Sequence, residues 1–376
     1  MRFIKHVYRI HTYAQDGRLF EGKTPVSAFL NSSYDGSFIA GLMELRYIQS
    51  LPVERIINYF ESHGFTLKKP TAHKLMEKAS SLFENLYKCI RQTALSDPYK
   101  AADETYYKIL VPEKNSKGKG VRKGYLWVVV GINTRMIYLL YDDGSRSEKV
   151  ILNELGGCKG IIQSDGYSPY RKLESDAYPH ITRIPCLQHI KRKFIDCGED
   201  EPDAKRIVEL INTLYQNEHK HKIGVDGWTV EQNLVHRKKY APDILGEIKD
   251  VLDDIEERGD LLPKSELKEA VTYLRNEWNA VVDIFNYGDT YLDNNIVERM
   301  NRYISLSRKN SLFFGSHKGA ERGAILYTIA LTCRMNKVNL FEYLTDVINR
   351  TAEWQPNTPL EKYRQLLPDR WEKAND

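Results

Sequence analysis

The spacing of apolar residues changes twice along this chain of 376 residues, and each change limits what the neighbouring segment can become. From about Tyr34 to Ile90 apolar side chains recur at helical intervals. After Ala102 they run as strands do, and from Asp203 to about Phe285 the interval is helical again. No internal repeat, low-complexity tract or long Gly/Ser- or Pro-rich linker interrupts the chain, so these changes mark its divisions. The expected divisions are a mainly helical region over 1–100, a strand-rich core over 101–202, a helical insertion over 203–288, a completion of the core over 289–350 and a tail over 351–376.

Within the first division, residues 1–30 read as a short hairpin-like piece. Pro52 stands at a first helical position before Val53, Ile56, Ile57 and Phe60 on one face. Gly64 breaks that helix, and Pro70 with Thr71 opens a second amphipathic run carrying Leu75, Met76, Phe83, Leu86 and Tyr87. Two helices joined by a short glycine-containing turn suit a DNA-contacting helix-turn-helix and suit a plain helical hairpin as well.

The core division begins with three β-branched and aromatic runs, ETYYKILV, GYLWVVVGI and MIYLLYD, separated by the basic loop 112–124 and the turn Asn133-Thr134-Arg135. Links this short give an antiparallel meander. A helix follows over about Ser147–Leu155, closed by Gly156-Gly157. Then come the strand GIIQSD, a helix near Ser168–Leu173, the strand ITRIPC and a basic helix from Leu187. The order β-β-β-α-β-α-β-α predicts an α/β fold, a mixed sheet with helices packed on it. The last core segment, from Tyr291 to Arg350, reads as a helix, a loop at Phe313–Gly319 and two more helices.

Composition excludes several classes. Hydrophobic residues make up 41% and charged residues 28%, as in ordinary soluble domains. No stretch approaches the roughly 18 apolar residues of a membrane span, and the start MRFIKHVYRIHTY has no signal-peptide apolar region. Five cysteines (Cys89, Cys158, Cys186, Cys197 and Cys333) form no disulfide framework and point to a reducing, cytoplasmic setting. A net charge of +4, from 55 basic and 51 acidic residues, argues against a histone-like binder but leaves local basic patches open.

Common enzyme signatures are missing: no P-loop, no G-x-S-x-G, no H-E-x-x-H and no CxxC pair. What remains is a set of carboxylates. Asp103 is expected near the start of the first core strand, and Asp165 ends the fourth, before Gly166. In this strand order those strands lie side by side, so both acids can reach one crevice. Glu298 lies in DNNIVERMNR, where Asn294, Glu298 and Arg302 share a helix face. Three such carboxylates can hold two hard cations about 4 Å apart, as in-line phosphoryl transfer requires. Among their acidic neighbours, Glu104 should face away from Asp103 by strand alternation, and Asp293 should cap the helix. Asp142 and Asp143 also lie close by.

Basic residues cluster around these acids. Lys191, Arg192 and Lys193 follow the C-x-x-H of Cys186 and His189. Arg299, Arg302, Arg308 and Lys309 follow Glu298. Lys114, Lys117, Lys119, Arg122 and Lys123 crowd the loop 112–124 against one acid, Glu113. Both clusters flanking the acids are expected to contact phosphates. Zinc is not expected at Cys186 and His189, because a closed site needs two more ligands, and only Cys197, His219 or His221 could supply them.

The ordered blocks ADET, YDDGSRS, GIIQSDGYSPY, CLQHIKRKF, YLDNNIVERMNR and SRKNSLFFGSHKGAERGA closely resemble the transposases of the insertion-sequence-66 family, over about residues 35–350. The resemblance implies an RNase H-like core and makes Asp103, Asp165 and Glu298 a DDE triad. It also implies Mg²⁺ or Mn²⁺ as a two-ion cofactor, with cutting and joining of DNA at the ends of a mobile element. By the same resemblance His189 and Asn294 support the active site, and 203–285 is the insertion such enzymes carry before the catalytic glutamate. The implied partners are element-end and target DNA, a second copy of the chain or a larger assembly, and small accessory proteins of the same element, at the nucleoid. Members of the family usually begin with a cysteine-containing zinc-binding region, and HVYRIHTY resembles its tail. A DNA-binding remnant without cleavage and a metal nuclease without joining are the alternatives.

Overall fold

The computed structural model describes residues 3–22, 27–29, 32–114, 118, 120–259, 261–355 and 357–373. A small exposed hairpin, β1 (Thr12–Gln15) and β2 (Arg18–Glu21), precedes four helices: α1 (Gly36–Tyr47), α2 (Val53–Ser62), α3 (Lys69–Leu82) and α4 (Glu84–Ser96). Asp35 starts α1 by accepting the Phe38 N–H at 2.9 Å. The expected helix pair is α2 and α3, joined through Gly64 at φ +79°. The amphipathic run opened at Pro70 is not one helix. It breaks at the fully buried Phe83, which ends α3 and begins α4.

Next come β3 (Tyr99–Leu110), β4 (Val121–Gly131), β5 (Met136–Leu140), α5 (Glu148–Leu155), β6 (Gly160–Ser164), α6 (Ser168–Arg171), β7 (Ile181–Pro185) and α7 (Leu187–Ile195). They form one five-stranded mixed sheet in the order β5-β4-β3-β6-β7. The meander β3–β5 is antiparallel, and β6 and β7 add parallel to it. Gly160, at φ +87°, lets β6 start against the link between α4 and β3, since a Cβ there would meet the Pro98 carbonyl oxygen at 2.2 Å.

One expectation needs correcting. Asp103 is not near the start of its strand but inside it, because β3 begins at Tyr99 and Asp103 pairs with Val128. Lys100, Ala101 and Ala102 carry little β propensity, yet all three are buried in the strand. Lys100 is accommodated because its ammonium donates to the Asp97 carbonyl and, at 2.8 Å, to the Lys159 carbonyl.

The helical insertion is α8 (Pro202–Glu218), α9 (Val230–Arg258) and α10 (Glu266–Ile284). After it come α11 (Asn295–Asn310), α12 (His317–Met335), α13 (Leu340–Thr351) and α14 (Leu360–Arg364). Two hydrophobic clusters result. One joins α1–α4 to β3–β5, α5 and α11–α13; the other joins Tyr99, Ile161 and Ile184 to α7 and the insertion helices. The helices of the first hundred residues therefore share their core with the sheet and the last helices: α1 lies on α13, and α4 lies on β5 and α12. Within 351–376, Tyr363, Leu366 and Leu367 are buried in the first cluster. Among the described residues no helix is long and apolar enough to cross a membrane.

Candidate active site

Helix α11 lies along β3 and is fastened to it by residues seven apart, which fall on one face of a helix. Asn294, at the N-cap, donates from Nδ2 to the Ala102 carbonyl at 3.0 Å. Asn301 donates from Nδ2 to the Asp103 carboxylate at 2.6 Å. Arg308 donates to the Tyr106 carbonyl and to Thr105 Oγ1 at 3.4 Å, and stacks 3.9 Å from the Tyr106 ring. Glu298 sits between Asn294 and Asn301, one turn before the residue that touches Asp103. Asp293 stands just outside the helix, accepting the Asn295 N–H at 3.1 Å.

Asp103 is half-buried, and its carboxyl is pushed up to about 8. Loss of solvent is the largest cause, followed by the charges of Glu104 and Asp165. The Glu104 N–H at 2.8 Å and Asn301 oppose the rise only in part. Asp165 follows β6 directly. The β3–β6 register pairs Ala101 with Gln163, so Asp103 and Asp165 both lie two residues further toward the same sheet edge. Asp165 Oδ1 accepts the Tyr167 N–H at 3.1 Å, while its carbonyl accepts Arg183 Nη2 at 2.8 Å. Gly166 is needed at this turn. Its N–H donates to Tyr273 Oη at 2.8 Å, and a Cβ there would meet that oxygen at 2.4 Å.

Glu104 points to the other side, as strand alternation requires. It takes the Arg146 guanidinium, with Nε at 2.9 Å, and the Tyr170 hydroxyl at 3.4 Å; burial raises its carboxyl. Asp143 is engaged with His317 at 2.8 Å.

The three carboxylates do not close to ligand distance as a set. Among the described residues, the group of three whose ligand atoms all lie within 4.8 Å of one another is Cys186, His189 and Glu298. The cause is local. The starts of α7 and α11 abut: the Leu187 N–H donates to the Leu292 carbonyl at 2.9 Å and the Asn294 N–H to Cys186 Sγ at 3.2 Å. His189 Nε2 then faces Glu298 Oε1 at 3.8 Å. Burial pushes the Cys186 thiol up to about 12.

Several buried polar atoms here have no partner: Glu298 Oε1, Asn294 Oδ1, Asn301 Oδ1 and His189 Nδ1. Orphaned oxygens beside a half-buried, poorly compensated carboxylate suit a hard divalent cation, which takes carboxylate and amide oxygens. The donor set therefore fits magnesium or manganese.

Of the basic residues, Arg192, Lys193, Arg299, Arg302 and Lys309 are exposed, and Lys191 is half-buried. Arg308 is not a free cation, because its guanidinium is taken up by β3. In the loop 112–124, Lys114 and Arg122 are exposed and Lys123 lies 4.2 Å over the Tyr106 ring. Lys117 and Lys119 lie outside the described residues.

Sequence reading missed Asn301, although its spacing of seven from Asn294 was a signal. It also missed the network under Asp165. The fully buried Arg183 donates to Ser164 Oγ at 3.0 Å, to the Asp165 carbonyl, to Glu174 and to Glu277 at 2.5 Å. A lone arginine within the apolar strand ITRIPC was the visible sign of it.

Together these features define a mixed-sheet α/β protein with an acid-bearing sheet edge crossed by a helix. Its sequence places it further: residues 31–322 match the Transposase IS66 family, and the chain belongs to that family. It is similar to three uncharacterized proteins of Sinorhizobium fredii (strain NBRC 101917 / NGR234). Identity to y4jD is 25%, covering 88% of this chain and 65% of that protein. Identity to y4hP is 25% (86% and 60%), and to y4qI 29% (69% and 49%). The chain thus spans between about half and two-thirds of the length of these relatives.

Proposed function

We propose that this chain is a DDE transposase that cuts DNA at the ends of an insertion sequence and joins it to a target, on an RNase H-like core. The observation that carries the reading is the half-buried Asp103 carboxylate. It lies beside Asp165 and is held by Asn301, one turn along the helix that bears Glu298. Asp103, Asp165 and Glu298 would hold Mg²⁺ or Mn²⁺. Bound there, the ions supply Lewis-acid polarisation of the scissile phosphate and of the attacking hydroxyl.

The chain's own residues do the rest. Asn301 fixes one Asp103 oxygen, and Arg183 with Tyr273 fixes the backbone at Asp165 and Gly166, so the acids are presented without reorganisation. The carboxylates act as ligands, so no side-chain nucleophile and no covalent protein–DNA link are required. Lys191, Arg192, Lys193, Arg299, Arg302 and Lys309 flank the acids and would hold phosphates in register without reading sequence. Asn294 and His189 are positioning residues, the first through Ala102 and the second through Glu298. Work on paired ends would call for a dimer or larger assembly, with the accessory proteins of the same element as further partners, at the nucleoid.

The test is incubation with Mn²⁺ or Mg²⁺ and labelled duplex carrying the cognate ends. Nicking followed by strand joining, both lost in Asp165→Asn, is the expected result. Binding without cleavage would instead identify a DNA-binding remnant, and cleavage without joining a nuclease.

A further inference from the structure

We propose that Cys186, His189 and Glu298 form a binding site for one thiophilic transition-metal dication, of which Zn²⁺ is the type. Their ligand atoms all lie within 4.8 Å of one another. His189 Nε2 faces Glu298 Oε1 at 3.8 Å, and that oxygen has no hydrogen-bond partner although buried. One sulfur, one imidazole nitrogen and one carboxylate oxygen make a borderline-soft set. Zinc accepts such a set, and three protein ligands leave a position open for water; magnesium and calcium avoid the sulfur.

The backbone already orients these ligands. Asn294 N–H donates to Cys186 Sγ at 3.2 Å, and the Leu187–Leu292 bond locks the two helix starts together. Glu298 is the ligand that the sequence does not reveal, because it lies 109 residues beyond His189. The ligands considered from sequence go elsewhere: Cys197 donates to the Lys193 carbonyl at 3.3 Å, and His221 stacks on Trp228 at 3.8 Å.

The site stands on its own geometry. One consequence rests on the reading of Glu298 given above: a zinc ion held here would withdraw that carboxylate from the magnesium set, so the two metals would compete for it.

The experiment uses the full chain stripped with chelator and titrated with Co²⁺, then with Zn²⁺ against a chromophoric chelator. One equivalent of Co²⁺ should bind with a thiolate charge-transfer band and low-symmetry visible bands, and Zn²⁺ should displace it. Cys186→Ala should abolish the band, and His189→Ala, at a half-exposed position, should weaken Zn²⁺ at least tenfold with the circular dichroism unchanged. Cys197→Ala and Asp165→Asn should bind as the parent does, which separates this site from the proposed catalytic set. The proposal is overturned by the absence of a stoichiometric site, by a cobalt spectrum without thiolate character, by a charge-transfer band that persists in Cys186→Ala, or by an unchanged Zn²⁺ affinity in His189→Ala.

Discussion

Asn301 reaches across 198 residues of sequence to donate to the Asp103 carboxylate at 2.6 Å, and it is the only side-chain donor to Asp103 among the described residues. This bond joins the helix bearing Glu298 to the strand bearing the first acid. In Asn301→Leu the carboxylate loses a hydrogen bond to a charged group, a contact worth about 1.5–3 kcal/mol. The half-saturating Mn²⁺ concentration for DNA nicking should rise roughly tenfold, about 1.4 kcal/mol. Asn301→Asp adds a third acid against Asp103 and should be worse. An unchanged metal requirement in both variants would remove Asn301 from the site.

The Arg183–Glu277 pair ties the helical insertion to the second acid, because the same guanidinium holds the Asp165 carbonyl. Both side chains are almost fully buried, at 0% and 1% exposure. Glu277→Leu leaves the buried Arg183 with the part-exposed Glu174 as its remaining carboxylate, so it should cost somewhat less than the ~3–5 kcal/mol of a fully orphaned buried charge in urea unfolding. Arg183→Met with Glu277→Leu replaces the whole pair and should recover much of that loss. Full recovery of stability without recovery of nicking would show that the arginine is kept for placing Asp165.

Much of this architecture was legible in the sequence because period and turn chemistry are local. The meander, the placement of Asp165 at a strand end and the helical insertion all follow from such patterns. What was not legible depends on long-range burial. The start of β3 is hidden because Lys100 reads as a surface residue until the carbonyls of Asp97 and Lys159 enclose its ammonium. The break at Phe83 is set by burial of its ring, not by a glycine or proline. The meeting of Cys186 with Glu298 depends on how α7 and α11 dock, which no spacing within either segment encodes.

Glu218 makes the insertion's hold on the site pH-dependent. The Arg237 guanidinium donates to Glu218 at 2.8 and 2.7 Å and also to the Ile284, Tyr287 and Thr290 carbonyls, fixing the link that leads into α11. Burial would raise the Glu218 carboxyl, but the hydrogen bonds and charge of Arg237 outweigh it and hold the group below the ordinary glutamate range. A depressed folded value means the stabilisation is complete above the unfolded value of about 4.3 and is lost as pH falls through the folded one. Glu218→Gln should therefore lower stability at neutral pH and flatten its decline below about pH 4.3, measured by denaturant midpoints across pH. A parallel decline in both proteins would show that the pair carries no linkage.

Arg302, Arg308 and Lys309 look alike in sequence, yet the structure separates them. Arg302 and Lys309 are exposed, whereas Arg308 is stacked on Tyr106 and bonded to β3. Replacing a phosphate-contacting cation removes about one released counterion, so Arg302→Ala and Lys309→Ala should each lower the slope of log affinity against log salt by roughly 0.9. Arg308→Ala should leave that slope near the parent value and instead destabilise the fold by about 1–3 kcal/mol, because the Tyr106 carbonyl loses its charged donor. Filter binding over a salt series, beside thermal unfolding of the same three variants, reads both effects. A large slope change for Arg308→Ala with unaltered stability would mean that its contacts to β3 open when DNA binds.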